Sequence, residues 1–151
     1  MTQSLAQIYL HIVFSTKDSE FFLFDRDLRE RLFKYLAGAC KKQDCPAIMI
    51  GGDADHVHIA CCLGRGIDVS TLIRELKRES SKWIKQQDPM LSPFQWQRGY
   101  GAFSVSPSHL DRLIVYIRNQ EEHHRQETYQ EEFCRLCEIY GLKLDDRYAW
   151  D

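Results

Sequence analysis

His56-Val57-His58 sets two imidazoles two residues apart, and Tyr116 and Gln120 stand four apart further along the chain. On a β-strand, residues i and i+2 share a face, so the two rings would lie side by side and reach one metal ion. On a helix, residues i and i+4 share a face, so the Tyr116 phenol and the Gln120 amide would project together. Each pattern alone has an ordinary reading: two polar residues on a solvated sheet face, a tyrosine packed in a core, a solvated glutamine. Jointly they describe two imidazoles and an amide oxygen around a metal, with a phenol beside them. A divalent ion held there would polarise a phosphodiester oxygen and stabilise transition-state charge. The phenol, with an ordinary pKa near 10, becomes a nucleophile where a metal or nearby cations favour its phenolate. An amide oxygen and a phosphate substrate favour a hard ion of the magnesium or manganese type.

The elements that must position these groups can be read from periodicity. Ile8 to Ser15 is β-branched and aromatic and predicts a strand. Asp25 opens a predicted helix to about Gln43, and strands follow over Ala47–Ile50 and His56–Leu63, joined by a hairpin loop at 51–55. Asp68 or Ser70 caps a second helix to about Gln86, and Phe94–Val105 reads as a fourth strand interrupted at Gly99-Tyr100-Gly101. A helix over about 108–126 carries Tyr116, and an acidic helix over about 128–141 ends at Gly141. The order β-α-β-β-α-β predicts one α+β domain over 1–151 of the ferredoxin-like, split βαβ type: an antiparallel sheet with two helices on one face, plus C-terminal helices. Val57 and Ile59 should then meet the two helices, and His56 and His58 should emerge together on the open face.

Composition permits this chemistry without demanding it. The net charge is −2, but residues 1–120 carry +3 and residues 121–151 carry −5, so an acidic end hides a mildly basic body. Arg74, Lys77, Arg78 and Lys82 on the second helix are candidate DNA-phosphate contacts, or an ordinary solvated face interleaved with Glu75 and Glu79. No stretch approaches the roughly 18 apolar residues of a membrane span. The polar start at Met1–Gln7 does not resemble a signal peptide, so no membrane and a cytoplasmic location are expected. The six cysteines, including the helical pair Cys134 and Cys137, read as reduced thiols rather than a zinc site. His11 lines the site or is a hydrogen-bonded sheet histidine, while His123 and His124 read as solvated helix residues.

Four segments carry a resemblance: HIVFSTK at 11–17, GGDADHVHI at 51–59, FQWQRGYGAFSVS at 94–106 and YIRNQEEHH at 116–124. In combination they resemble the HUH transposases with a single catalytic tyrosine, of the insertion-sequence 200/605 family. The resemblance implies that His56, His58 and Gln120 are metal ligands and that Tyr116 is the nucleophile. It implies attack on single-stranded DNA to give a 5′-phosphotyrosine and a free 3′-hydroxyl, rejoining by the reverse step, recognition of hairpins at element ends, and a homodimer. It further implies sites shared between subunits, and the short polar segment Ser104–Ser108 is compatible with sending the tyrosine helix to a partner. Two alternatives remain at this stage. One is an HUH relaxase or replication-initiator nuclease, disfavoured by the absence of a helicase or primase extension. The other is a non-catalytic sheet-face nucleic-acid-binding module, which would want aromatic rings where the histidines stand.

Overall fold

Alternation along the strands divides the sheet into an apolar face and a chemically active one. The computed structural model describes residues 3–147 and 149–151; of the polar start Met1–Gln7, Met1 and Thr2 lie outside the described residues, as does Tyr148. Strands β1 (Tyr9–Ser15), β2 (Ala47–Asp53), β3 (His56–Cys62) and β4 (Gly101–Val105) form one antiparallel sheet in the order β2-β3-β1-β4. Helices α1 (Arg26–Lys42) and α2 (Val69–Gln87) follow β1 and β3, which is the expected split βαβ arrangement. Asp25 caps α1 by accepting from the Asp27 amide, and Asp68 caps α2 by accepting from Thr71. The main core sits between these helices and one sheet face, where Leu10, Ile12, Phe14, Val57, Ile59 and Cys61 meet Leu32, Leu36, Leu72 and Leu76.

The strands differ from expectation at their ends. β2 runs on through Gly51 and Gly52, so the hairpin turn shrinks to Ala54-Asp55. The glycines that read as loop punctuation are strand residues. β4 is confined to Gly101–Val105, and upstream only Trp96 keeps a ladder contact, with Thr16. All six cysteines are free thiols, with Cys40, Cys45, Cys61 and Cys137 buried and Cys134 exposed.

The larger departure concerns the second sheet face, which is not open. Helices α3 (Leu110–Arg118), α4 (Gln120–His123) and α5 (Tyr129–Ile139) cover it. The single helix expected over 108–126 is broken at Asn119 (φ −96°, ψ 20°), and α5 starts from a Thr128–Glu131 capping box. Two glycines make this cover possible. Across the sheet, one row of paired residues reads Gly51, His58, Val13, Gly101. A Cβ on Gly51 would sit 2.4 Å from the Ile117 carbonyl oxygen, so only a bare backbone lets α3 close onto β2. A Cβ on Gly101 would sit 2.9 Å from the Phe133 ring, which belongs to α5. Val13, Phe103, Tyr129, Phe133, Leu136 and Cys137 then form a second, smaller cluster separate from the main core.

Gly51→Ala should therefore push α3 off the sheet, costing about 1–3 kcal/mol as overpacking does. Gly66, whose Cβ would meet nothing within 4 Å, is the control, and Gly66→Ala should stay within about 0.5 kcal/mol. Denaturant midpoints of the two variants measure this; equal midpoints would show that α3 does not lie against β2.

Candidate active site

Each of the paired histidines is held from behind. His56 Nδ1 lies 2.7 Å from the Asp55 carboxylate, and His58 Nδ1 lies 2.7 Å from His11 Nε2. With both Nδ1 atoms engaged, both Nε2 atoms face the covered side of the sheet. This is how outer partners fix the orientation of metal-binding histidines. His56 and His58 are fully buried, and burial holds the His58 imidazole near a pKa of about 4 against the opposing pull of Glu132. Burial first and His58 second hold His11 lower still, at about 3. Neutral imidazoles can offer lone pairs to a metal without first losing a proton.

Gln120 and Tyr116 arrive from the other side. Gln120 Oε1 lies 3.0 Å from His56 Nε2, so the amide oxygen and two imidazoles expected together are together. The break at Asn119 leaves Tyr116 at the end of α3 and Gln120 at the start of α4, yet both reach the same group. The Tyr116 ring centroid is 5.8 Å from that of His58, and its hydroxyl accepts from Arg135 Nη2 at 2.9 Å. The hydroxyl also donates to Glu132 Oε2. Burial, then the Glu132 charge, pushes the Tyr116 pKa above its ordinary value, with Arg135 opposing.

Glu132 is the residue that sequence reasoning missed. It is fully buried on α5, and its carboxylate accepts from Gln120 Nε2 (3.0 Å) while lying 2.9 Å from both His58 Nε2 and His124 Nε2. Burial opposes charge there, but hydrogen bonds from His124 and His58 outweigh it and hold the carboxyl well below the usual carboxylate range. A signal existed. Tyr129, Phe133, Leu136 and Cys137 form the buried stripe of α5, and Glu132 falls within that stripe, where a carboxylate needs a partner. His124, expected to be solvated, is only 4% exposed at its side chain because Glu132 draws it inward. His123 is half-buried and bonds to Glu127. His56, His58, His124 and Glu132 bring their donor atoms within 4.8 Å of one another, a cluster able to hold a metal ion.

The basic residues of α2 are not part of this cluster, since α2 packs on the opposite face of the sheet. The Lys77 ammonium donates to the carbonyls of Gln97 (2.7 Å), Arg98 (3.1 Å) and Gly99 (2.7 Å). Burial lowers its pKa to about 8. Arg78 is engaged by Glu75 and Glu79, while Arg74 and Lys82 are exposed.

Within the single chain the tyrosine helix packs on the chain's own sheet. Ile117, next to Tyr116, lies against Gly51 of the same chain, and the segment Ser104–Ser108 turns α3 back onto its own sheet.

The model of the IS200-like transposases matches residues 4–120, most of the chain and all of the site as far as Gln120. The chain belongs to that family. Its members cut DNA, and of the two catalytic alternatives, membership selects the transposase over the relaxase or replication initiator. No curated protein matches the sequence. Among solved structures, a protein of Deinococcus radiodurans R1 described as a transposase has a TM-score of 0.61 at 18% identity, covering 80% of this chain and 98% of its own. A REP-associated tyrosine transposase, solved bound to a REP hairpin, has a TM-score of 0.58 at 13% identity, covering 82% of this chain and 74% of its own. At such identities both likenesses show the shared fold. No helix among the described residues is long and apolar enough to cross a membrane.

Proposed function

We propose that this transposase cleaves and rejoins single-stranded DNA through a covalent 5′-phosphotyrosine at Tyr116, using a magnesium or manganese ion held by His56, His58 and Gln120. The observation that carries the reading is the pair of buried imidazoles, each braced at Nδ1, whose Nε2 atoms converge with Gln120 Oε1 beside the Tyr116 hydroxyl. The donor set fits a divalent ion: two imidazole nitrogens and an amide oxygen converge on one point. When bound, the ion supplies Lewis-acid polarisation of the scissile phosphate.

The chain's own residues do the rest. The Tyr116 oxygen gives up its proton to solvent and forms the new bond to phosphorus, the bond to the 3′-oxygen breaks, and that oxygen takes a proton from solvent to leave as a 3′-hydroxyl. Arg135, already within hydrogen-bond reach of the phenol oxygen, stabilises the phenolate as the proton departs. Asp55 and His11 keep the imidazoles in orientation. Rejoining reverses the sequence with another 3′-hydroxyl, so no external energy source is consumed. The substrate class is single-stranded DNA bearing hairpins, in keeping with the hairpin bound by the REP-associated relative. Exposed Arg74 and Lys82 offer phosphate contacts to a hairpin stem at a distance from the cut. A homodimer would pair two sites, each already complete within one chain.

Incubation with a hairpin-bearing single-stranded oligonucleotide and manganese, followed by a denaturing gel, tests this. A slow-migrating covalent species that requires the metal is expected. A shift on a native gel alone, with no covalent species, would leave a binding module and overturn the proposal.

A further inference from the structure

The site holds more ligands than the cleavage reading needs, and the extra ones lie beyond residue 120, where the family match ends. His124 and Glu132 belong to the segment that closes over the sheet. Glu132 Oε1 sits 2.9 Å from His58 Nε2, 2.9 Å from His124 Nε2 and 3.5 Å from His56 Nε2, between the very atoms that would face an ion. Its other oxygen takes the hydrogen bonds of Gln120 and Tyr116. A buried carboxylate thus stands where the metal-bound phosphate and the attacking phenol must meet.

We propose that His124 and Glu132 are two further metal ligands of a closed state, in which α5 acts as a built-in lid that a DNA phosphate must displace. With His56 and His58 they give three imidazoles and one carboxylate, four protein donors without Gln120, whose amide bonds to Glu132 instead, the pattern of a closed site; a catalytic site keeps a position open for substrate. Exchange of the Glu132 carboxylate for a phosphodiester oxygen swaps one anionic oxygen ligand for another, so the ion keeps its charge balance while the site opens. The lid packs apart from the main core. α5 rests on the small cluster of Val13, Phe103 and its own stripe, not on the main core. A cleft of about 340 Å³ lined by Phe21, Asp53, Asp55, His124 and Tyr129 reaches the edge of this cluster from outside. The imidazole-rich closed set also suits manganese or zinc better than magnesium, which prefers oxygen ligands.

The inference rests on the metal-assisted reading above, and its test separates the two. Manganese alone, without DNA, is titrated calorimetrically into the wild type, Glu132→Gln and His124→Ala. Glu132→Gln keeps the side chain's shape, and circular dichroism checks that each variant is folded. Each variant should lose affinity by about tenfold or more, the least that removing an outer partner of a metal site costs. Hydrogen exchange at the amides of 129–139 should slow when manganese is added to the wild type and stay unchanged in Glu132→Gln. With the oligonucleotide present at saturating manganese, Glu132→Gln should form covalent adduct faster than the wild type. Unchanged manganese affinity in both variants would overturn the ligand assignment. Faster exchange across α5 on adding manganese to the wild type, or slower adduct formation by Glu132→Gln, would overturn the lid. Failure of every protein to form adduct, with the affinity losses and exchange changes intact, would count against strand cleavage and leave the closed metal site standing.

Discussion

Tyr116→Phe should abolish the covalent DNA adduct, a loss of roughly three orders of magnitude or more, as removal of a nucleophile does in other covalent enzymes. The substitution takes away one oxygen and little else. The ring keeps its contacts with His11 and His58, at centroid distances of 6.3 Å and 5.8 Å. Glu132 Oε2 still receives Gln120 Nε2 at 3.0 Å, and Arg135 is still held by Glu127, so no buried polar group loses its last partner. Stability should fall by no more than about 1 kcal/mol, and hairpin binding should stay within a few-fold. Denaturing gels score the adduct and native gels score binding. Adduct persisting in the variant would move the nucleophile elsewhere, with Tyr100, which is exposed and stacked near the Lys77 ammonium, the first place to look.

The second large effect is expected at the histidines. His58→Ala removes a ligand, takes one of several partners from Glu132 and leaves His11 without its hydrogen bond, so manganese affinity should drop by more than the roughly 10–100-fold that loss of an outer partner costs. His11→Ala supplies that reference, because the hydrogen bond of His11 to the site runs through His58 Nδ1. Gln120→Ala should be milder than either histidine ligand, since water can replace a neutral amide oxygen. Calorimetric titration with manganese ranks the variants, and adduct formation should follow the same order. Full-rate cleavage by the wild type in excess chelator would contradict the metal assignment outright.

Much of this site was legible because it depends on local periodicity. The period of two along His56-Val57-His58 separates imidazoles from core, and β3 keeps that separation. The spacing of four from Tyr116 to Gln120 survives even though the helix breaks between them, because one distorted residue at Asn119 barely rotates the faces apart. Long-range packing was not legible. Gly51 and Gly101 read as turn residues, yet their value lies in what approaches them from distant parts of the chain. Glu132 belonged to an acidic tail that looked solvated by its charge; only its place within the stripe of α5 marked it as buried. Nothing in the face of α2 announces the three loop carbonyls that receive the Lys77 ammonium. Local pattern identifies the chemical groups, and tertiary closure decides which of them are covered.

The central claim is that one chain carries the whole site, with Tyr116 serving the histidine pair beneath it. Mixing subunits tests this most directly. His58→Ala and Tyr116→Phe proteins are combined under conditions verified to exchange subunits, and adduct on the hairpin oligonucleotide is measured with manganese. With the site contained in one chain, every site in the mixture carries one lesion, and the mixture should be as inactive as its parents. Sites shared between subunits would instead restore activity, up to roughly a quarter of the wild-type level on random exchange, since half the dimers are mixed and half their sites intact. Silence is the result this structure predicts; recovery toward that quarter would contradict it.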